Sequence, residues 1–358
     1  MNIALDTSSL KSGHYLQHRV RGTGFYLQNL QASLEKYYPE NKYIYFNRGD
    51  LLSGDIDVVH YPYFEPFFLT LPVFSKNKKI VTVHDLTPLV FPNHFKSGLK
   101  GNLKWQIQKR ALKNADAIIT DSESSKKDII KYAGIDSAKV KVVYLAAGEE
   151  FKKVQSSKFK VQSLRKKYNL PEKFVLYVGD ATWNKNLPRL IETVSKINVP
   201  LAMVGKALID KKIDTQNPWN KDLVRVQGMA EQNKNVFRLG FVSPRDLVAL
   251  YNAASLFIMP SIYEGFGLPI LEAMSCGCPV VASRGGSLAE VVGTAGKYID
   301  PYDIDSIAMG ISEVFNSPNL QKELSQKGII QSKKFTWRKT TDETMGVYRS
   351  VVGNIKNF

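Results

Sequence analysis

The chain has 358 residues, 44% of them apolar, enough to bury two cores of ordinary size. No apolar run approaches the roughly 20 residues of a membrane-spanning helix, and MNIALDTSSLKSG lacks the basic leader and apolar block of a signal peptide, so a globular cytoplasmic protein is expected. The net charge of +16 is uneven, 27 Lys/Arg against 15 Asp/Glu in residues 1–170 and 22 against 18 thereafter, which suits an anionic membrane surface better than nucleic acid, since no recognition helix, zinc finger or aromatic RNA-binding motif is present.

Short β-rich runs alternate with helix-length intervals along the chain. The first series is NIALD, DVVHYPY, KIVTVHDL, AIITDS and KVVYLAA; the second is FVLYVGD, VPLAMVGK, NVFRLGF, LFIMPS and PVVAS. Strands that are apolar on both faces and separated this way predict parallel sheets covered by helices. Two series predict an α/β protein of two Rossmann-like doubly wound domains, whose strand ends would make one cleft if they faced each other. The polar, Lys-rich stretch FKKVQSSKFKVQSLRKKYNLPEK marks the boundary. The expected division is 1–165, 166–335 and a final helix within 336–358.

Ligands bind at the carboxyl ends of parallel strands, and the interesting residues follow strands. After the first comes RVRGTGFYLQNL, a glycine-containing loop with Arg21, Gly22 and Gly24. After KIVTV come His84 and Asp85. Beyond them lies HFKSGLKGNLKWQIQKRALK, with six Lys/Arg and no acid, in which Leu99, Leu103, Ile107 and Ala111 recur every four residues. As a helix this segment either packs its stripe on its own domain with solvated lysines, or presents the stripe, flanked by Lys96, Lys100 and Lys104, to a membrane surface. After FVLYV comes GDATWNKN with Lys185.

The stretch IMPSIYEGFGLPILEAMSCGCPVVAS, residues 258–283, places Glu264 and Glu272 around Gly265, Phe266, Gly267 and Leu268, with Pro269 suited to open a helix and Gly277 to close it. A strand handing over to a helix N-terminus through glycines suits an anion. Two carboxylates would repel that anion, so if they face the ligand they address its hydroxyl pairs. A nucleotide-sugar has phosphates in the middle and hydroxyl-bearing rings at both ends. The alternative is that Glu272 only favours the helix terminus and Glu264 is a solvated turn residue. Cys276 and Cys278 are too few and too close for a disulfide framework and read as free thiols. No third glycine completes a dinucleotide fingerprint, and Walker, nucleophile-elbow and H-E-x-x-H motifs are absent; no metal site is expected.

These residues resemble the retaining glycosyltransferases of family 4, also called group 1, which have the GT-B fold. The most specific element is Glu264-GFGLPIL-Glu272 followed by AMSCGCPVVAS; VTVHDLTPLVFP, TDSESSKKDI, YVGDATWNKNLPRLIE and the closing FTWRKTTDETMGVYRSV are similar to the family more weakly. The resemblance implies that Glu264 contacts hydroxyls of the transferred sugar and Glu272 the nucleotide ribose, while Phe266, Gly267 and Leu268 present amides to sugar and phosphate. It also implies that Lys185 neutralises the diphosphate, that His84 contacts the donor sugar, that the loop of Gly22 and Gly24 closes over donor and acceptor, and that the final helix returns to the first domain. The departure is the arginine that many members pair with the lysine: Asp180 and Asn184 stand at its two positions, leaving Arg21 as a further cation. The expected activity is metal-independent transfer, without a cofactor, from a nucleotide-sugar to a glycan or lipid-linked acceptor. GDP-mannose leads, because RGTGFYLQNL and VHDLTPLVFP are similar to bacterial mannosyltransferases of polysaccharide assembly; UDP-sugars come next. A GT-B epimerase and a non-catalytic sugar-nucleotide-binding scaffold are the rivals.

Overall fold

In the computed structural model, residues 1–11, 21–154 and 158–353 are described, with the side chains of residues 21 and 158–160 excepted. The chain divides into two compact units, Met1–Ala146 together with the segment from Phe335 onward, and Ala147–Lys334.

The first unit holds β1 (Asn2–Asp6), β2 (Lys42–Phe46), β3 (Val58–Tyr61), β4 (Lys78–Thr82), β5 (Ala117–Thr120) and β6 (Val140–Val142) in one parallel sheet of order β2-β1-β3-β4-β5-β6. Its inner strands are apolar on both faces because helices cover both sides: VVHY and AIIT are buried throughout. The helix Arg21–Tyr37 turns Tyr26, Leu27, Leu30 and Leu34 inward at three- and four-residue spacing. Against it packs the helix Trp337–Gly353, which buries Trp337, Met345 and Tyr348. Polar contacts fix this last helix: the Tyr38 hydroxyl donates to Asp342 at 2.8 Å, Thr340 donates to the Tyr144 carbonyl at 2.7 Å, and the Tyr348 hydroxyl meets Nδ1 of His60 at 2.7 Å. His60 is wholly buried, and burial pushes its pKa down to about 3, so it serves as a neutral hydrogen-bonding group whose Nε2 meets Thr82 at 2.8 Å.

The second unit holds β7 (Val175–Val178), β8 (Leu201–Val204), β9 (Val236–Gly240), β10 (Leu256–Met259), β11 (Val280–Ala282) and β12 (Gly296–Tyr298), again parallel, in the order β12-β11-β10-β7-β8-β9. The helix Leu187–Lys196 buries Leu187, Leu190, Ile191 and Val194, and the helix Ile304–Asn316 buries Ile307, Ile311 and Val314 against the same core. The chain runs outward from β7 through β8 to β9 and then crosses to β10 on the other side. This reversal seats the loops after β7 and β10 side by side, the position at which open α/β sheets bind ligands. The sequence pattern does not mark β2 or β12, each at one edge of its sheet, whereas β6 and β9 at the opposite edges overlap KVVYLAA and NVFRLGF.

Candidate functional site

In the second unit the loop after β7 ends in a single helical turn, Trp183–Lys185, followed by Asn186 with φ of +59°, a left-handed conformation that asparagine tolerates. This turn is stitched to the segment after β10. The Ile262 N–H donates to the Asn184 carbonyl at 2.7 Å, the Asn184 side chain donates to the Tyr263 carbonyl at 2.9 Å, and Asn186 donates to the carbonyls of Pro260 and Pro301. The stitching brings Lys185 onto Glu264: Nζ lies 2.8 and 2.7 Å from the two carboxylate oxygens. Glu264 is buried and Lys185 is partly exposed, which makes the pair a fork in a partly desolvated setting. Glu264 is therefore not the solvated turn residue of the alternative sequence reading.

The backbone under Glu264 is supported from the loop after β11. Ser287 donates to the Glu264 carbonyl through its N–H at 3.0 Å and to the carbonyls of Glu264 and Phe266 through its hydroxyl. Gly286 has φ of +63°, and a Cβ there would lie 2.2 Å from the Glu264 carbonyl oxygen, so only glycine lets the two loops approach this closely. Gly267, with φ of +101°, turns the chain into the helix Leu268–Ser275. Leu268 is thus the first residue of that helix instead of part of the preceding loop, and Pro269 takes the second position, where its missing N–H costs no intrahelical bond. Gly265 and Phe266 are buried in the loop that leads to this helix N-terminus.

Glu272 sits one turn into the helix. It accepts a hydrogen bond from the buried Tyr251 hydroxyl at 2.8 Å, and burial pushes its pKa up to about 7 against the help of that bond, with Glu150 adding repulsion. A carboxylate poised there changes charge near neutrality. Behind it, Cys276 and Cys278 are buried free thiols, the former pushed up to about 12 chiefly by burial.

In the first unit His84 follows β4, and Asp121 follows the neighbouring β5. Nδ1 of His84 lies 2.7 Å from a carboxylate oxygen of Asp121. The Tyr26 ring meets the imidazole edge-on at 5.0 Å, and the His84 carbonyl accepts from Ser125 at 3.0 Å. Burial opposes charge on the ring, but Asp121 and then Asp85 outweigh it, and the His84 pKa lies above the ordinary value. Burial likewise raises Asp121, so both partners hold a proton more readily than usual. Among the described residues, Nε2 of His84 and the second oxygen of Asp121 are buried without a hydrogen-bond partner of good geometry; the Pro62 backbone also supports charge on the ring, and a ligand atom at Nε2 would compete with it.

Gly22 and Gly24 do not lie in a loop. They fall in the first turn of the helix Arg21–Tyr37, where a Cβ on Gly22 would meet nothing within 4 Å. They precede Tyr26, the residue that packs on His84. The side chain of Arg21 lies outside the described residues. The sequence reading did not single out Asp121, Tyr251, Ser287 or Gly286; TDS after an apolar strand was the only local signal for Asp121, and the others pack from distant elements. Asn184, at one of the two positions where the resemblance leads one to expect an arginine, directs its amide to the Tyr263 carbonyl. Among the described residues no group of three or more His, Cys, Asp or Glu could hold a metal ion.

Residues 160–331 match the family model described as Glycosyl transferases group 1, and residues 25–147 match Glycosyltransferase Family 4. The O-antigen chain mannosyltransferase B of Escherichia coli is 30% identical over 280 residues, which cover 76% of this chain and 70% of that protein. The serotype-specific mannosyltransferase WbdA of Escherichia coli is 32% identical over 267 residues, 74% of this chain; the chain spans only about a third of that relative's length, 32%. Among solved structures, sucrose-phosphate synthase from Thermosynechococcus elongatus superposes with a TM-score of 0.75 at 20% identity, covering 99% of this chain and all of that one. Anabaena HepE in complex with UDP and glucose gives 0.72 at 18%, covering 98% and 100%. These structural likenesses establish a GT-B fold.

Proposed function

The chain belongs to the group 1 glycosyltransferases, and we propose that it transfers mannose, with retention and without a metal, from GDP-mannose to a hydroxyl of a glycan or lipid-linked acceptor. The reaction would serve cell-surface polysaccharide synthesis, with the protein working at the cytoplasmic face of the membrane. The mannose assignment is supported by the names of the E. coli relatives.

The observation that carries the reading is the Lys185–Glu264 fork beside the N-terminus of the helix Leu268–Ser275. Without donor, each side chain neutralises the other. With donor, the diphosphate draws Lys185 and the helix dipole, and Glu264 is freed to accept hydroxyl hydrogens of the sugar. Glu272, once ionised, accepts the ribose hydroxyl pair. As the bond from the sugar to phosphate breaks, negative charge grows on the departing diphosphate, and a prepared cation and dipole stabilise it without reorganisation. Gly265, Phe266, Gly267 and Leu268 line this handover, and Gly22 and Gly24 open the helix behind His84. His84, held by Asp121, is assigned to the hydroxyls of the donor sugar.

The test is incubation with GDP-mannose and a panel of UDP-sugars, with and without lipid-linked acceptors. Acceptor-dependent release of GDP is the expected result. Release of an altered free sugar without acceptor would identify an epimerase, and tight binding without turnover a scaffold.

A further inference from the structure

The helix Gly98–Lys113 has two apolar faces. Its inner face buries Gly101, Trp105, Gln108, Ala111 and Leu112. At about 100° per residue, Leu99, Leu103 and Ile107 project from the opposite side, and they are 91%, 65% and 36% exposed. Ala111, the fourth member of the sequence stripe, falls inside, because each four-residue step advances roughly 40° around the axis. The ridge is therefore separate from the packing face of its own unit.

We propose that this ridge is a docking surface for an anionic lipid bilayer, with the helix lying in the interface plane. Lys100, Arg110 and Lys113 are exposed on the same helix, and residues 94–113 contain no acid. Lys104 and Lys109 are held closer in, over the Phe68 ring and on the Tyr132 carbonyl. A polyanion such as nucleic acid would meet the charges and leave the leucines in water. A second copy of the helix would cover the leucines and oppose like charges. Only a surface with an anionic rim and an apolar interior answers both.

The ridge cannot roll inward to hide. Gln108 accepts from the N–H groups of Thr70 and Leu71 at 2.8 Å each, and the buried Lys79 donates to the Ala111 carbonyl at 2.8 Å near the C-terminal end of the helix. The inference deepens the membrane-face reading proposed above, by naming the surface and its partner.

The experiment is sedimentation of the full chain with vesicles of phosphatidylcholine, with or without phosphatidylglycerol. The parent is expected to pellet with the anionic vesicles and be released by salt. L99S/L103S should partition roughly tenfold less or worse, and K100Q/R110Q roughly fivefold less for each charge removed. Equal partition of parent and L99S/L103S overturns the proposal, as does a parent that pellets with neither vesicle. A vesicle-independent dimer that L99S/L103S dissociates overturns it too. GDP affinity, read by calorimetry, should be the same in all variants. Failure of vesicle binding with GDP binding intact removes this inference alone, whereas a parent that binds vesicles but no nucleotide removes the catalytic reading and leaves the docking surface.

Discussion

Replacing Glu272 with Gln should raise the stability of the second unit at pH 8 relative to pH 4.5. The carboxyl is moved from 4.5 in a solvated chain to about 7 by burial, so the folded protein favours its protonated form. The penalty is absent below pH 4.5, grows as pH rises toward 7, and is constant above. At 1.36 kcal/mol per pKa unit the displacement corresponds to roughly 3 kcal/mol at most, and the side chain's residual contact with solvent lowers it to about 1–3 kcal/mol. Glutamine keeps an acceptor for the Tyr251 hydroxyl and never ionises. Urea unfolding of parent and variant at both pH values reads the effect as a change in their difference, which cancels every other titration. A difference that stays constant would refute the idea that Glu272 is ionised at a cost. The same group links pH to function: if only the ionised form holds the ribose, its fraction rises about tenfold between pH 6 and pH 8, and the apparent Kd for GDP should fall by about that factor in the parent beyond any change in the Gln variant.

Lys185→Ala should lower turnover roughly 100-fold with a smaller effect on donor affinity, since one prepared cation is lost from the departing charge; steady-state kinetics at saturating acceptor check it, and unchanged turnover would move the phosphate contact elsewhere. Asp121→Asn should lower the His84 pKa, because the neighbouring carboxylate is what lifts it. The stability that the charged pair supplies below pH 6.5, and loses as pH rises through the folded value, should disappear from the variant's pH–stability curve, and an unchanged curve would show that the contact is unimportant. Gly286→Ala should destabilise the second unit by at least about 1–2 kcal/mol for the left-handed backbone alone, and should weaken GDP binding by displacing the Glu264 carbonyl; a variant with parental unfolding and affinity would contradict the close approach of the two loops.

The buried strands were legible because a strand covered on both sides is apolar nearly throughout, as LAMV and LFIM are. Two of the four edge strands, β2 and β12, were not. KYIYF is half-exposed and GKY only three residues long, so neither carries the continuous apolar run that marks a central strand. At the site, the spacing of Glu264 and Glu272 around glycines pointed to the strand-to-helix handover, since that junction is local in sequence. The Lys185–Glu264 fork was not readable, because 79 residues separate its members and only the reversal of strand order between β7 and β10 brings them together. Gly22 and Gly24 misled for the converse reason: G-x-G looks like a loop, yet the amphipathic run from Tyr26 to Leu34 propagates the helix back through both.

The first unit is not continuous in sequence. Its last helix begins at Trp337, and Tyr348 supplies a partner for Nδ1 of the buried His60. During synthesis at about 5–20 residues per second, the second unit, Ala147–Lys334, is complete before the first can close. The sheet of the first unit must therefore wait on the ribosome for something like 10 to 40 seconds with the site for that helix uncovered and the His60 imidazole facing an empty groove. The later half of the gene product should be the first to acquire protease resistance on stalled nascent chains, and the earlier half should depend on chaperone protection until the final helix arrives.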